Sequence, residues 1–373
     1  MSNKSPRAQD YANITVGDQA PRFKQRSTSN PNFVFDTAAG RYLVLCFYLS
    51  AEDPEGAAAL AAAEANRSIF DDEAIAFFGV SVNPADEHSG RARQALPGIR
   101  HFWDFDGSVS RLYGALPTDF QAGRQTIGRR LWVVVDPTLR VMAMFPLSDE
   151  GVFDYLRALP PPERFAGFEA PAPILVLPNV FEPAFCQQLI EAYHKLGGTE
   201  SGFMRDVDGK TTLLNDHAHK RRSDCVIEDE GLRGELRARI IRRVNPEIAR
   251  IYAFLPTRME RYIVGCYAAE AGAHFRAHRD ITTRGTAHRR FAVSINLNAD
   301  FEGGEVGFPE YGPRVYKAAP GAAVIFPCNL LHRVTPVTKG TRYAFLPFLY
   351  DDAAARLREA NHPSLGEGYE YQA

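Results

Sequence analysis

The chain has 373 residues, 45% of them hydrophobic and 24% charged, with 43 basic against 45 acidic side chains and a formal charge of −2. That length exceeds what one hydrophobic core usually supports, and the balanced charge does not advertise an affinity for nucleic acid or for an anionic membrane surface. No apolar run approaches a membrane span, and the polar start "MSNKSPRAQD" lacks the apolar core of a secretory signal, so two domains in a cytoplasmic protein are expected. Five cysteines, odd in number and without a C-x-x-C pair, argue against a disulfide framework and read as buried thiols.

Residues 1 to about 15 are polar, and ordered structure is expected from Val16 onward. "RYLVLCFY" (Arg41 to Tyr48) reads as a strand, and the Ala-rich stretch from Glu52 to Phe70, with Pro54 near its start, reads as a helix. "IAFFGVSV" (Ile75 to Val82) is a second strand, while "RRLWVVVDP" and "RVMAMFPL" are two more joined by a Pro-containing turn. Strand, helix, strand and hairpin make an α/β layer. The proline-rich residues 158–173 lack apolar periodicity and read as a linker between domains spanning 16–157 and 174–351. Beyond it, "ILVLPNVF" is a strand and turn, Glu182 to Leu196 is a helix, and Leu232 to Phe254 is helical with a break near Asn245 and Pro246. From Met259 the texture changes to short alternating segments such as "RRFAVSINLNA" and "GAAVIFP", as in an all-β sandwich or barrel.

"AHFRAHRDITTRG" (Ala273 to Gly285) poses the chemical question. On a helix, His274 and His278 would share a face like two zinc ligands, but Gly272 precedes them and two threonines follow Asp280. On a strand, residues two apart project together, which pairs His278 with Asp280, turns Arg279 to the other face, and puts His274 on the His278 face, substrate-facing or merely packed. A lone H-x-D arises readily by chance and needs a third ligand. His332, at the end of an apolar strand, supplies it. Two imidazoles and one carboxylate form the facial set that suits non-haem Fe(II) and leaves coordination positions open. Arg342, ten residues on, offers the planar fork that a co-substrate carboxylate requires, and Tyr267 could present a hydroxyl to the same group. The triplet His217 to His219 reads as a mobile loop near the pocket, and Asn296, Asn298 and Glu305 as solvent-facing strand polars.

These motifs carry a resemblance. Residues 174–351 resemble the prolyl 4-hydroxylase-like branch of the 2-oxoglutarate and Fe(II)-dependent dioxygenases, through "ILVLPNVFEPAFCQQLIEA", "YAAEAGAHFRAHRD" and "DFEGGEVGFPEYG". "LHRVTPVTKGTR" is close to the bacterial PKHD-type hydroxylases. The resemblance implies a double-stranded β-helix (jelly-roll) in which His278, Asp280 and His332 hold Fe(II) and Arg342, with Tyr267, anchors 2-oxoglutarate. It further implies consumption of O2, release of succinate and CO2, hydroxylation of an unactivated C–H bond, and ascorbate as reductant. The substrate it suggests is a peptidyl proline or other protein residue, with a free amino acid or small metabolite as the alternative. "VGDQAPRF", "YLVLCFYLSAEDPEG", "FWDFDGSVSRLYGA" and "RRLWVVVDPTLRV" resemble the peroxiredoxin (AhpC/TSA) branch of the thioredoxin fold. The position matching that family's peroxidatic cysteine is Gly56, and Cys46 lies inside a strand, so a non-catalytic domain is expected that packs, recognises a partner or forms a homodimer. Arg130 matches the supporting arginine. A thiol peroxidase and a non-catalytic binding or sensing module are the competing readings.

Overall fold

In the computed structural model, residues 10–123 and 126–366 are described, and they divide into two compact units. The first runs to Pro171 and takes in Pro309–Gly312; the second covers Ala172–Phe308 and continues from Pro313.

The first unit is a thioredoxin-like layer. Its elements are β1 (Tyr42–Leu49), α1 (Pro54–Ala65), β2 (Ile75–Ser81), β3 (Ile99–Trp103), β4 (Leu131–Val135), β5 (Val141–Pro146) and α2 (Gly151–Arg157). The sheet order is β3-β2-β1-β4-β5, with β1, β2 and β3 parallel and β4 and β5 antiparallel to their neighbours. All eight residues of β1 are buried, because the strand is central and both its faces are covered. Helix α1 starts at a proline and turns the small residues Gly56, Ala59 and Ala63 inward, so its backbone lies close to β1. Order begins before Val16: the Tyr11 hydroxyl donates to the Ile127 carbonyl at 2.6 Å, and Arg129 stacks on the Tyr11 ring at 3.8 Å. A polar composition did not prevent these residues from pairing with the body of the unit.

The second unit is sheet-rich. Its elements are α3 (Pro183–Leu196), β6 (Phe203–Val207), β7 (Lys210–Leu214), β8 (Lys220–Arg221), β9 (Ser223–Val226), α4 (Glu230–Arg243), α5 (Asn245–Tyr252), β10 (Ile263–Ala268), β11 (His274–His278), β12 (Phe291–Asn296), β13 (Val306–Gly307), β14 (Ala323–Pro327), β15 (His332–Val334), β16 (Val337–Phe345), β17 (Phe348–Tyr350) and α6 (Asp352–Asn361). The larger sheet contains the path β17-β12-β16-β10-β9, with β14 also paired to β12; the smaller runs β8-β11-β15-β13. Helix α3 buries Phe185 and Leu189 in a core shared with Ile240 and Ile248 of α4 and α5 and with Val264, Ile295 and Phe345 of the larger sheet. Asp229 caps α4 by accepting from the Leu232 N–H at 2.8 Å.

Candidate metal centre

The two histidines meet because β11 and β15 are antiparallel neighbours with His278 directly opposite His332. Asp280 does not extend the strand; it lies in the turn after it, tied down by its N–H donating to the Cys328 carbonyl at 3.0 Å. Its carboxylate oxygens stand 3.5 Å from His278 Nε2 and 3.4 Å from His332 Nε2. The three donor atoms all lie within 4.8 Å of one another, and this is the one group of three such side chains among the described residues.

The far nitrogen of each ring is already engaged. His278 Nδ1 lies 2.8 Å from the Arg276 carbonyl and His332 Nδ1 lies 3.1 Å from the Leu330 carbonyl. A carbonyl only accepts, so each Nδ1 carries the proton and each Nε2 presents a lone pair to the space between the rings. Burial, reinforced by the His332 ring, pushes the His278 pKa down to about 4, so that imidazole is neutral in neutral solution. Burial alone would raise the Asp280 carboxyl, but the two histidines outweigh it and hold the group below the usual carboxylate range.

A β-bulge between Phe275 and His278 breaks the two-residue period of β11. Phe275, not His274, therefore packs on His278, with ring centroids 3.5 Å apart and planes 19° off parallel. The expectation that His274 shares the His278 face is corrected: its nitrogens approach the carbonyls of Gly272 at 2.8 Å and Ala218 at 3.4 Å. The 217–219 triplet also differs from a loose loop. His219 sits in a turn with its ring 4.4 Å from Phe203, 5.5 Å from Phe275 and 6.4 Å from His278, whereas His217 pairs with Glu200 at the surface.

Arg342 lies opposite Tyr267 on the paired strands β16 and β10, its guanidinium 5.1 Å from the Tyr267 ring, and it is only 1% exposed. Its Nε donates to Asn296 Oδ1 at 2.9 Å and its Nη2 to Ser294 Oγ at 2.7 Å, while Nη1 is buried and has no hydrogen-bond partner among the described residues. Burial lowers the Arg342 pKa, so a positive charge is held where water cannot stabilise it. Asn296 is thus not a solvent-facing polar; β12 is interior, and its alternation separates two covered faces. Asn298, half-buried, accepts from the Tyr343 N–H at 2.9 Å, and Glu305 accepts from the Thr335 hydroxyl at 2.5 Å. Tyr267 has a second cationic neighbour, Arg222, whose Nη1 donates to its hydroxyl at 3.2 Å and which forks onto Asp224 at 2.5 and 2.7 Å.

Sequence reasoning missed Ser294, Arg222 and the hairpin β6–β7 that brings Phe203 to the site. The hairpin had a signal, the Asp208–Gly209 pair, whose φ values of +50° and +76° suit a two-residue turn.

In the first unit, a Cβ built on Gly56 would lie 2.1 Å from the Ser50 carbonyl oxygen, so this position has no room for a thiol-bearing side chain. Arg130 is paired with Asp53, which precedes α1, and stands 3.7 Å from Glu55 in the first turn of that helix. Cys46 is fully buried in β1, and burial pushes its thiol pKa well above the ordinary value.

The class follows from both ends of the chain. Residues 262–350 match the family model of the 2OG-Fe(II) oxygenase superfamily, and residues 16–144 match that of the AhpC/TSA family. The second unit thus carries a 2OG-Fe(II) oxygenase domain and the first a peroxiredoxin-type domain. A PKHD-type hydroxylase of Bordetella pertussis is 33% identical over 148 residues, covering 36% of this chain and 63% of that protein. A PKHD-type hydroxylase of Synechococcus sp. is 32% identical over 96 residues, covering 24% of this chain and 42% of that one. The chain therefore spans less than two thirds of the length of these relatives. Among solved structures, a prolyl hydroxylase from Trichoplax adhaerens in complex with a hypoxia inducible factor peptide covers 50% of this chain and 86% of its own at 15% identity and a TM-score of 0.38. Peroxidoxin BcpB from Mycobacterium tuberculosis covers 40% of this chain and 99% of its own at 17% identity and a TM-score of 0.35. Among the described residues no helix is long and apolar enough to cross a membrane.

Proposed function

We propose that the chain is an Fe(II)- and 2-oxoglutarate-dependent dioxygenase that hydroxylates an unactivated C–H bond. The observation that carries this reading is the pair of Nε2 lone pairs and one carboxylate within 4.8 Å, with both Nδ1 protons already committed to backbone carbonyls. His278, Asp280 and His332 would hold the metal, a donor set that suits Fe(II) and leaves room for further ligands. Once bound, iron and 2-oxoglutarate supply O2 activation coupled to decarboxylation, giving succinate, CO2 and a hydroxylated product.

The protein's own part is binding and exclusion. Arg342 keeps a buried N–H without a partner among the described residues, and the distal carboxylate of 2-oxoglutarate would complete its fork beside Tyr267. Phe275 and Phe326 pack on His278 and His332, shielding them from water. Ascorbate would serve to keep iron ferrous. The substrate class brought by the PKHD-type resemblance is a protein residue such as proline, with small metabolites as the alternative. The first unit takes no part in thiol chemistry on this reading, since the backbone at Gly56 excludes the nucleophile.

Succinate formation from 2-oxoglutarate under air, with Fe(II) and ascorbate, tests the reaction. It should occur in the wild type and fall to background in His332→Ala. Equal rates in both would reject the assignment.

A further inference from the structure

Holding a metal and a dicarboxylate leaves one buried cluster unexplained. Lys220 stands on β8 opposite Phe275 of β11 and is only 4% exposed. Its Nζ donates to Ser201 Oγ at 2.7 Å and to the Gly202 carbonyl at 2.5 Å, and lies 4.9 Å from the Phe275 ring centre. Because Phe275 stacks on His278, a single ring separates this amine from a residue of the triad.

Burial pushes the Lys220 pKa well below its ordinary value, because neutral acceptors alone do not compensate the charge of a buried ammonium; an anion placed against the amine would restore the charged form. Asp224 is not available for the purpose. It takes both arms of Arg222, a further N–H of Arg261 at 3.1 Å and the Ser201 hydroxyl at 2.5 Å. Two arginines thus share this carboxylate, and Lys220 is linked to it only through the Ser201 hydroxyl. Asp280, which also acts on Lys220 electrostatically, is committed to the metal on the proposed function. In its protonated form the amine has three N–H groups, and the described residues accept two of them. His219, next in sequence, has its ring held between Phe203 and Phe275, with the His278 ring 6.4 Å away.

We propose that Lys220 and His219 form an anion subsite for the primary substrate, so that the substrate carries a carboxylate close to the C–H bond that is hydroxylated. This rests on the dioxygenase reading. The carboxylate completes the third N–H of Lys220 and accepts from His219, while the Phe203 and Phe275 rings pack against the aliphatic part. Because Lys220 is interior, the carboxylate has to enter the unit, which suits a free amino acid or a single acidic side chain of a peptide. The carboxylate of 2-oxoglutarate nearest the metal is the other source of the same chemistry.

The test uses the full chain with Fe(II) and begins with the affinity for 2-oxoglutarate without oxygen. No binding by the wild type would bring down the dioxygenase reading itself, before the subsite is addressed. Succinate formation is then measured under air with matched probes: L-proline and L-leucine against their carboxamides, and the blocked dipeptide proline-aspartate against proline-asparagine. Loss of one partner from a buried charged pair predicts that at least one carboxylate probe stimulates turnover about 30-fold more than its amide. Which pair discriminates tells a free amino acid from an acidic side chain. Lys220→Met should erase that preference and Lys220→Arg should restore part of it, with 2-oxoglutarate affinity staying within about threefold of wild type. Amides as effective as acids, no stimulation by any acid, or a Lys220→Met variant that loses 2-oxoglutarate affinity would each overturn the proposal. Should Lys220→Met fail to fold, His219→Ala, in a turn outside the strands, carries the same comparison.

Discussion

Replacing Arg342 with methionine isolates the co-substrate anchor. In the free protein the guanidinium is buried, two of its nitrogens are satisfied by Asn296 and Ser294, and Nη1 has no partner among the described residues. Removing it strands two acceptors, at a cost of about 1–3 kcal/mol each, but also removes an uncompensated interior charge, a change that is often neutral or stabilising. The two effects offset, so the melting temperature should move by only a few degrees. Binding has no such offset. Truncating one side of a buried, hydrogen-bonded charge pair costs about 2–5 kcal/mol, which is a loss of about 30- to 4000-fold in 2-oxoglutarate affinity. Arg342→Lys should fall between, since it keeps the charge and loses the fork. Anaerobic calorimetric titration of 2-oxoglutarate into the Fe(II) protein reads this directly. A dissociation constant within about threefold of wild type, in folded Arg342→Met, would refute the assignment of the anchor.

Gly56→Ala should destabilise the first unit. An alanine at an open helical site gains about 1 kcal/mol over glycine, but the contact at 2.1 Å with a backbone oxygen reverses the sign by about 1–3 kcal/mol. A raised melting temperature would show that the position can take a side chain after all. Glu260 should impose an acid limit on the second unit. It is buried between His288 and Arg289, each 2.8 Å away, and although burial opposes ionisation, these partners lower its pKa from 4.5 to about 2. A carboxylate depressed in the folded state contributes stability above pH 4.5 that is lost as the pH falls through about 2, amounting to about 3 kcal/mol. Glu260→Gln should be less stable at neutral pH and flatter between pH 5 and about pH 2 in thermal scans; parallel curves for the two proteins would contradict the linkage.

The cluster of His278, Asp280 and His332 was legible because its residues are chemically distinctive; the expected placement of His332 at the end of an apolar strand is corrected, since the apolar strand stops at Pro327 and His332 opens β15 after a turn. The face of His274 was not legible, since a bulge changes the period locally and no residue type between Phe275 and His278 announces it. Asn296 and Ser294 were hidden for a different reason. Period-two alternation implies one wet face, and β12 lies in a sheet covered on both sides. Lys220 follows directly on the 217–219 triplet that reads as a mobile loop. Lys220 is buried on a two-residue strand, β8, too short for any periodicity to reveal. In the first unit the strand and helix were readable from apolar runs and a starting proline, whereas the closeness of Ser50 to Gly56 is a matter of tertiary packing.

The most direct test of the central claim is an anaerobic titration of the full chain with Fe(II) and 2-oxoglutarate, following the visible charge-transfer band of the chelate, beside Asp280→Ala. The band is expected in the wild type and its loss in the variant, with both proteins folded by circular dichroism. No band in folded wild type, or an equal band in Asp280→Ala, would contradict the assignment of His278, Asp280 and His332 as the iron site.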